Sequence, residues 1–94
     1  MAIELKGDGT LVIAGRLDAA QAAAAMSSLE RVHGKVTVDC GGLEYISSAG
    51  LGVLLKTHKR LLGAAGGLKL CRLRPNVRDV LVYSGFDQIF EIER

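Results

Sequence analysis

The chain has 94 residues, 49% of them apolar, with 12 basic and 10 acidic side chains, which is the makeup of one globular domain around an aliphatic core. A net charge of +2 is too balanced to signal nucleic-acid binding, and no apolar run approaches the ~20 residues that span a bilayer. A chain of this size buries only about 60–65% of its unfolded surface, which leaves no room for a deep substrate cavity with lids.

The first residues, MAIELKGDG, lack the basic and then apolar regions of a signal peptide, so a cytoplasmic location is expected. Ile3 to Lys6 and Leu11 to Ala14 read as two strands, and Gly7-Asp8-Gly9 supplies the turn of a hairpin between them. Gly15-Arg16-Leu17-Asp18 follows, with Asp18 placed to cap a helix running to Val32. Ala22, Met26, Leu29 and Val32 form that helix's apolar stripe, and Gly34 ends it.

Val36, Val38 and Cys40 then alternate with Thr37 and Asp39, the two-residue period of a strand, and Asp39 lies near its end. Tyr45 to Gly50 reads as a loop. From Leu51 the apolar spacing becomes helical, through Leu54, Leu55, His58, Leu61 and Leu62. Two hydroxyls, Ser47 and Ser48, therefore stand where a helix begins, a place that suits a serine cap or a phosphate. The glycine-rich stretch 63–67 stops this helix. Leu68, Leu70, Cys71 and Leu73 mark another strand. Pro75 opens a third helix, with Val77, Val80, Leu81 and Ser84 as its stripe, and Gly85 closes it. Ile89 to Ile92 forms a last short strand. The order ββαβαβα(β) implies an α/β fold, a mixed sheet of four to five strands with helices over at least one face, in one domain covering 1–94.

Catalytic templates find little support. His33 and His58 stand apart from other metal-ligating residues, and Cys40 and Cys71 read as free thiols in strands, so no metal is expected. A Ser48-His58-Asp39 triad can be written down. However, ten residues of helix put His58 roughly 15 Å from Ser48 at about 1.5 Å per residue. Gly50-Leu51-Gly52 lacks the third glycine and the acidic partner of a dinucleotide fingerprint, and no P-loop is present, so no cofactor is expected. Lys69, Arg72, Arg74 and Arg78 gather positive charge around the fourth strand and third helix, which reads as a solvated face.

Three segments together resemble the STAS domain family of sulphate-transporter and anti-sigma-factor-antagonist domains. They are Gly15-Arg16-Leu17-Asp18, VDCGGLEYISSAGLGVLL from Val38 to Leu55, and Leu70 to Phe86 with Pro75-Asn76-Val77 and Ser84-Gly85-Phe86. The middle segment is the specific one. Counted back from Gly50, Ser48 matches the family's phosphorylated serine. Ala49 replaces a second hydroxyl, and Ser47 stands where Asp is usual, which makes Ser47 a rival acceptor.

The resemblance implies a non-enzymatic STAS domain, an anti-sigma factor antagonist working by partner switching. Its unphosphorylated form would bind an anti-sigma factor with serine kinase activity. Phosphorylation would release it, and a serine phosphatase would reset it. The implied partner surface comprises Asp18, Asp39, Ser47, Ser48, Ala49, Gly50, Leu51 and Gly52, with no cofactor, no nucleic acid and no membrane insertion. An alternative is a STAS accessory subunit of a lipid-transport ABC system that binds its ATPase without phosphorylation. A hydrolase built on Ser48 is the weakest reading.

Overall fold

The sequence's switches between two-residue and helical periods become, in a computed structural model that describes residues 1–93, a single mixed sheet with helices between its strands. The elements are β1 (Ala2–Leu5), β2 (Thr10–Leu17), α1 (Ala22–Leu29), β3 (Lys35–Ile46), α2 (Ser48–Leu62), β4 (Gly67–Cys71), α3 (Pro75–Ser84), a 3-10 turn (Phe86–Gln88) and β5 (Glu91–Ile92). The five strands lie in the order β1-β2-β3-β4-β5. β1 is antiparallel to β2, and every later neighbour is parallel. Three crossovers therefore step the same way across the sheet, and their usual right-handed sense puts the helices on one face.

The register shows which face that is. Leu11, Val38 and Leu70 are paired neighbours, as are Val36 and Leu68, and all are buried. The alternate positions, Val12, Thr37, Asp39, Lys69 and Cys71, lie half-buried on the other face. The helices close the core with Ala25 and Leu29 from α1, Leu51, Leu54 and Leu61 from α2, and Val77 and Leu81 from α3. Arg60 of α2 ties α1 to α2 by donating through Nη2 to the carbonyls of Leu29 and Val32, at 2.9 Å each, where α1 ends.

Several boundaries differ from the sequence reading. β2 continues to Leu17 and β3 to Ile46, so Tyr45 and Ile46 are strand and not loop. β3 keeps pairing with β2 through two register shifts, one between Val12 and Ala14 and one between Gly15 and Arg16. These are bulges, and they carry the buried positions from Val36, Val38 and Cys40 on to Leu43 and Ile46. Asp39 shapes the first: its Oδ1 accepts the Gly41 N–H at 2.9 Å. β4 stops alongside Asp39, so the rest of β3 has no strand on that side. Side chains take the place of a strand there. Arg74 Nε donates to the Gly41 carbonyl (3.0 Å), and Asn76 Nδ2 donates to the Glu44 carbonyl (2.7 Å). Asp39 is therefore mid-strand, and Leu73 lies beyond the end of β4.

Helix ends also moved. α1 spans only Ala22–Leu29, and Asp18 closes a turn ahead of it, its Oδ1 accepting the Gln21 N–H at 3.3 Å, in place of capping the first turn. α2 begins at Ser48, three residues before Leu51. Pro75 does open α3, and Gly85, with φ at 79°, does close it. Gly34 follows α1 in the same left-handed region.

The two thiols and His58 are explained by packing. Cys40 is buried, and desolvation pushes its thiol up to about 12, so it stays protonated. His58 is 6% exposed, tilts against Phe90 with ring centroids 5.1 Å apart, and accepts the Leu68 N–H on Nδ1 at 2.9 Å. β5 reaches only Lys69 and Leu70 of β4, so His58 supplies the acceptor that a longer β5 would have given Leu68.

Two outcomes follow from these contacts. His58→Ala leaves the Leu68 amide unpaired and opens a void beside Phe90, and should cost about 2–4 kcal/mol, read as a lower urea midpoint at unchanged slope. The Gly41 N–H, and then Arg72 at 3.0 Å, hold the Asp39 carboxyl below its ordinary range. A depressed carboxylate contributes stability that is complete above the ordinary carboxylate pKa and is lost as pH falls through the folded value. Asp39→Asn should therefore flatten the fall in melting temperature below pH 4, where the wild type drops.

Candidate functional site

The start of α2 is built from three backbone constraints. The Ser47 N–H donates to the Leu17 carbonyl at 3.0 Å, which fixes the end of β3 to the end of β2. Ser47 has extended backbone (φ −95°, ψ 174°), and its Oγ accepts the Gly50 N–H at 3.2 Å, the geometry of an N-cap. Gly50 then lies directly on β2. A Cβ there would stand 2.4 Å from the Leu17 carbonyl oxygen and 2.9 Å from Leu17 Cγ. Gly50 is thus required for close approach of helix to strand, with no need of a special φ.

Within this frame the two serines differ. Ser47 is half-buried and its hydroxyl is used by the cap. Ser48, the first residue of the helix, is exposed, and among the described residues its hydroxyl makes no hydrogen bond. No acidic residue lies in the first turn of α2, so the free N–H groups there keep their partial positive charge. Ala49 and Gly52 line a shallow, mostly apolar depression shared with Ala22 and Met26 of α1 and with Lys56. A Cβ at Gly52 would meet nothing within 4 Å, so the fold itself does not require this glycine. Leu51 is buried, and its N–H bonds the Ser47 carbonyl at 2.9 Å; it anchors the helix and is not presented at the surface.

Asp18 belongs to the same end of the molecule. It follows Leu17, and its Oδ2 is 3.7 Å from Arg16 Nε, a half-exposed pair of modest energy. Arg16 in turn lies over the ring of Tyr45, 4.3 Å from its centroid. Arg16 and Tyr45 are register partners, a pairing invisible without the bulges in β3. Asp39 does not join this group. Eight residues of strand at about 3.3 Å each separate it from Ser47, it lies on the helix-free face, and its carboxylate is held by Gly41 and Arg72. The triad written from Ser48, His58 and Asp39 is dispersed accordingly, with His58 engaged by Leu68 and Asp39 by Arg72. Among the described residues no group of three or more His, Cys, Asp or Glu could hold a metal, and no helix is long and apolar enough to cross a membrane.

Residues 1–92 match the family model described as Mlab, STAS domain, and the chain belongs to the STAS domain family. It is 44% identical over 66 residues to BtrV of Bordetella bronchiseptica, which carries the name of an anti-sigma factor antagonist. The match takes in 70% of this chain and 57% of BtrV, so the chain spans little more than half of that relative. Among solved structures, an anti-sigma factor antagonist of Thermotoga maritima superposes with a TM-score of 0.79 at 20% identity, covering 97% of this chain and 83% of that one. The Bacillus cell-fate determinant SpoIIAA in its phosphorylated form superposes with a TM-score of 0.70 at 21% identity, covering 99% and 90%. At these identities the two structures attest the fold, a five-stranded mixed sheet with three helices.

The two glycines should respond oppositely to alanine. Gly50→Ala must displace α2 from β2 and should cost about 2 kcal/mol or more, in the range of an overpacked core. Gly52→Ala should stabilise by about 0.5–1 kcal/mol, because a helix interior with open space for the methyl gains from losing a glycine. Chemical denaturation of the two variants reads both signs. In the same assay Ser47→Ala should cost about 1 kcal/mol for the lost cap, and Ser48→Ala less than about 0.5 kcal/mol.

Proposed function

We propose that this domain is an anti-sigma factor antagonist governed by phosphorylation of Ser48. Unphosphorylated, it binds an anti-sigma factor with serine kinase activity through Ser48, Ala49, Gly52 and the neighbouring Asp18. The kinase transfers the γ-phosphoryl group of ATP to the Ser48 hydroxyl, the complex dissociates, and a serine phosphatase restores the starting state. The domain is substrate and ligand, and the partner supplies the chemistry. The observation that carries this reading is the division of labour between the two hydroxyls. Ser47 is committed to the Gly50 N–H, while Ser48 is exposed and unbonded at the first position of α2. The name of BtrV and the existence of a phosphorylated SpoIIAA on the same fold support it.

Magnitudes place the switch at the interface. A phosphate brings about −1.5 to −2 charges. Its attraction to a helix N-terminus is about 0.3–1 kcal/mol, and about 2 when partly buried. That attraction favours the helix already present, so it supplies no drive to refold. A hundredfold loss of affinity needs about 2.7 kcal/mol. Bringing a dianion against a partner's carboxylate or apolar surface supplies a penalty of that order.

A second reading, constitutive docking on the ATPase of a lipid-transport system, draws on the apolar depression beside Ala49 and Gly52, a contact surface that needs no modification. Incubation with the cognate kinase and ATP should add one phosphate, absent in Ser48→Ala and retained in Ser47→Ala. Ser48→Glu should weaken the kinase complex at least tenfold. Labelling that survives Ser48→Ala overturns the assignment, and a stable ATPase complex indifferent to Ser48→Glu selects the second reading.

A further inference from the structure

A cleft lies at the other end of the sheet from Ser48, where β3 and β4 begin, and the proposed switch makes no use of it. It arises because β5 pairs with β4 at Lys69 and Leu70, leaving the first residues of β4 without a strand on the side away from β3. His58 enters this gap. Its Nδ1 accepts the Leu68 N–H at 2.9 Å, so the ring proton resides on Nε2, a tautomer fixed by that hydrogen bond. The side chain is only 6% exposed, yet among the described residues Nε2–H has no protein partner, and it is not sealed from solvent. Gly67 keeps the ring edge open; a Cβ there would come within 3.3 Å of His58 Cε1. The buried ring thus presents one unused donor to a cleft of about 520 Å³.

The rest of the lining defines what would fit. Lys35 and Lys69 border the cleft, and among the described residues Lys69 is otherwise engaged by a loose 3.8 Å pair with exposed Glu93. A cleft with an N–H donor in its wall and two lysines on its border suits a negatively charged acceptor. Glu91, also in the lining, opposes a ligand of high charge. Leu62 and Ile89 supply an apolar wall, 55% and 44% exposed and without a covering group. The volume falls within the roughly 300–1,000 Å³ of small-molecule sites.

We propose that this cleft binds a small organic anion with one carboxylate and an apolar body. The carboxylate accepts from His58 Nε2 in the cleft that Lys35 and Lys69 border, and the apolar part covers Leu62 and Ile89. The site is separate from the α2 start and stands or falls independently of the phosphorylation reading.

Sodium octanoate, titrated below its micellar range into ¹⁵N-labelled full-length protein, tests the proposal. Saturable shifts should appear at the amides of Gly67, Leu68, Lys69 and Ile89 and at the His58 ring, with Ser47 to Gly52 unmoved. Octylammonium and inorganic phosphate should bind at least tenfold more weakly, since each lacks one half of the recognised chemistry. H58N keeps an oxygen for the Leu68 N–H while removing the Nε2 donor, and K35A/K69A removes the flanking charge. Each variant should weaken octanoate at least tenfold. If H58N does not fold, K35A/K69A, whose side chains lie outside the core, decides alone. The absence of saturable shifts, equal binding of octylammonium or phosphate, or wild-type affinity in the folded variants overturns the site.

Discussion

The contact on which the functional end of this domain depends is that between the Leu17 carbonyl and the first turn of α2. The carbonyl accepts the Ser47 N–H and also lies against Gly50, close enough that no side chain could stand between them. One oxygen thus fixes both the entry into the helix and its distance from the sheet. Once Gly50 is seated, Ser47 must cap, Leu51 must turn inward, and Ser48 must turn outward. The orientation of the candidate acceptor is a product of main-chain packing, and side-chain preference has little part in it.

The same end of the molecule relies on a strand that outruns its neighbour. β3 continues past the end of β4, and the carbonyls left over at Gly41 and Glu44 are taken by Arg74 and Asn76. Charge at these positions is therefore partly structural. Arg72 is spent on Asp39 and Arg74 on a carbonyl, which leaves Arg78 as the member of the basic group with no bonded partner among the described residues. A basic stretch that reads in one dimension as a solvated face is, in three, also bracing for the sheet through Arg72 and Arg74.

What could be read from the sequence was set by local rules. The hairpin turn, the Pro75 and Gly85 limits of α3 and the candidate serines all follow from residues within a few positions of one another. The failures were non-local. The two-residue alternation is legible as far as Cys40, yet the strand continues to Ile46, paired with β2 through its bulges and with two of its carbonyls taken by Arg74 and Asn76, more than thirty residues away. Asp39 was grouped with the helix start because the strand seemed to end there; extending β3 to Ile46 removes it from that group. Asp18 looked like a cap because it precedes an alanine-rich helix, but the intervening turn accounts for its hydrogen bonds. The STAS resemblance survived these errors, since it rests on the order of residues around Gly50 and not on where each element begins.

The serine cap has a consequence for signalling. An aspartate at position 47 would leave a standing negative charge beside the acceptor in both states of the protein, and modification would deepen a field already present. With Ser47 as cap and no acidic residue in the first turn, the helix start carries only the partial positive charge of its free N–H groups, and the proposed phosphate on Ser48 would be the first negative charge in that turn. Under the proposed switch, the negative charge met there by a partner would come wholly from the phosphate, and its removal would restore the starting field without any rearrangement of the chain.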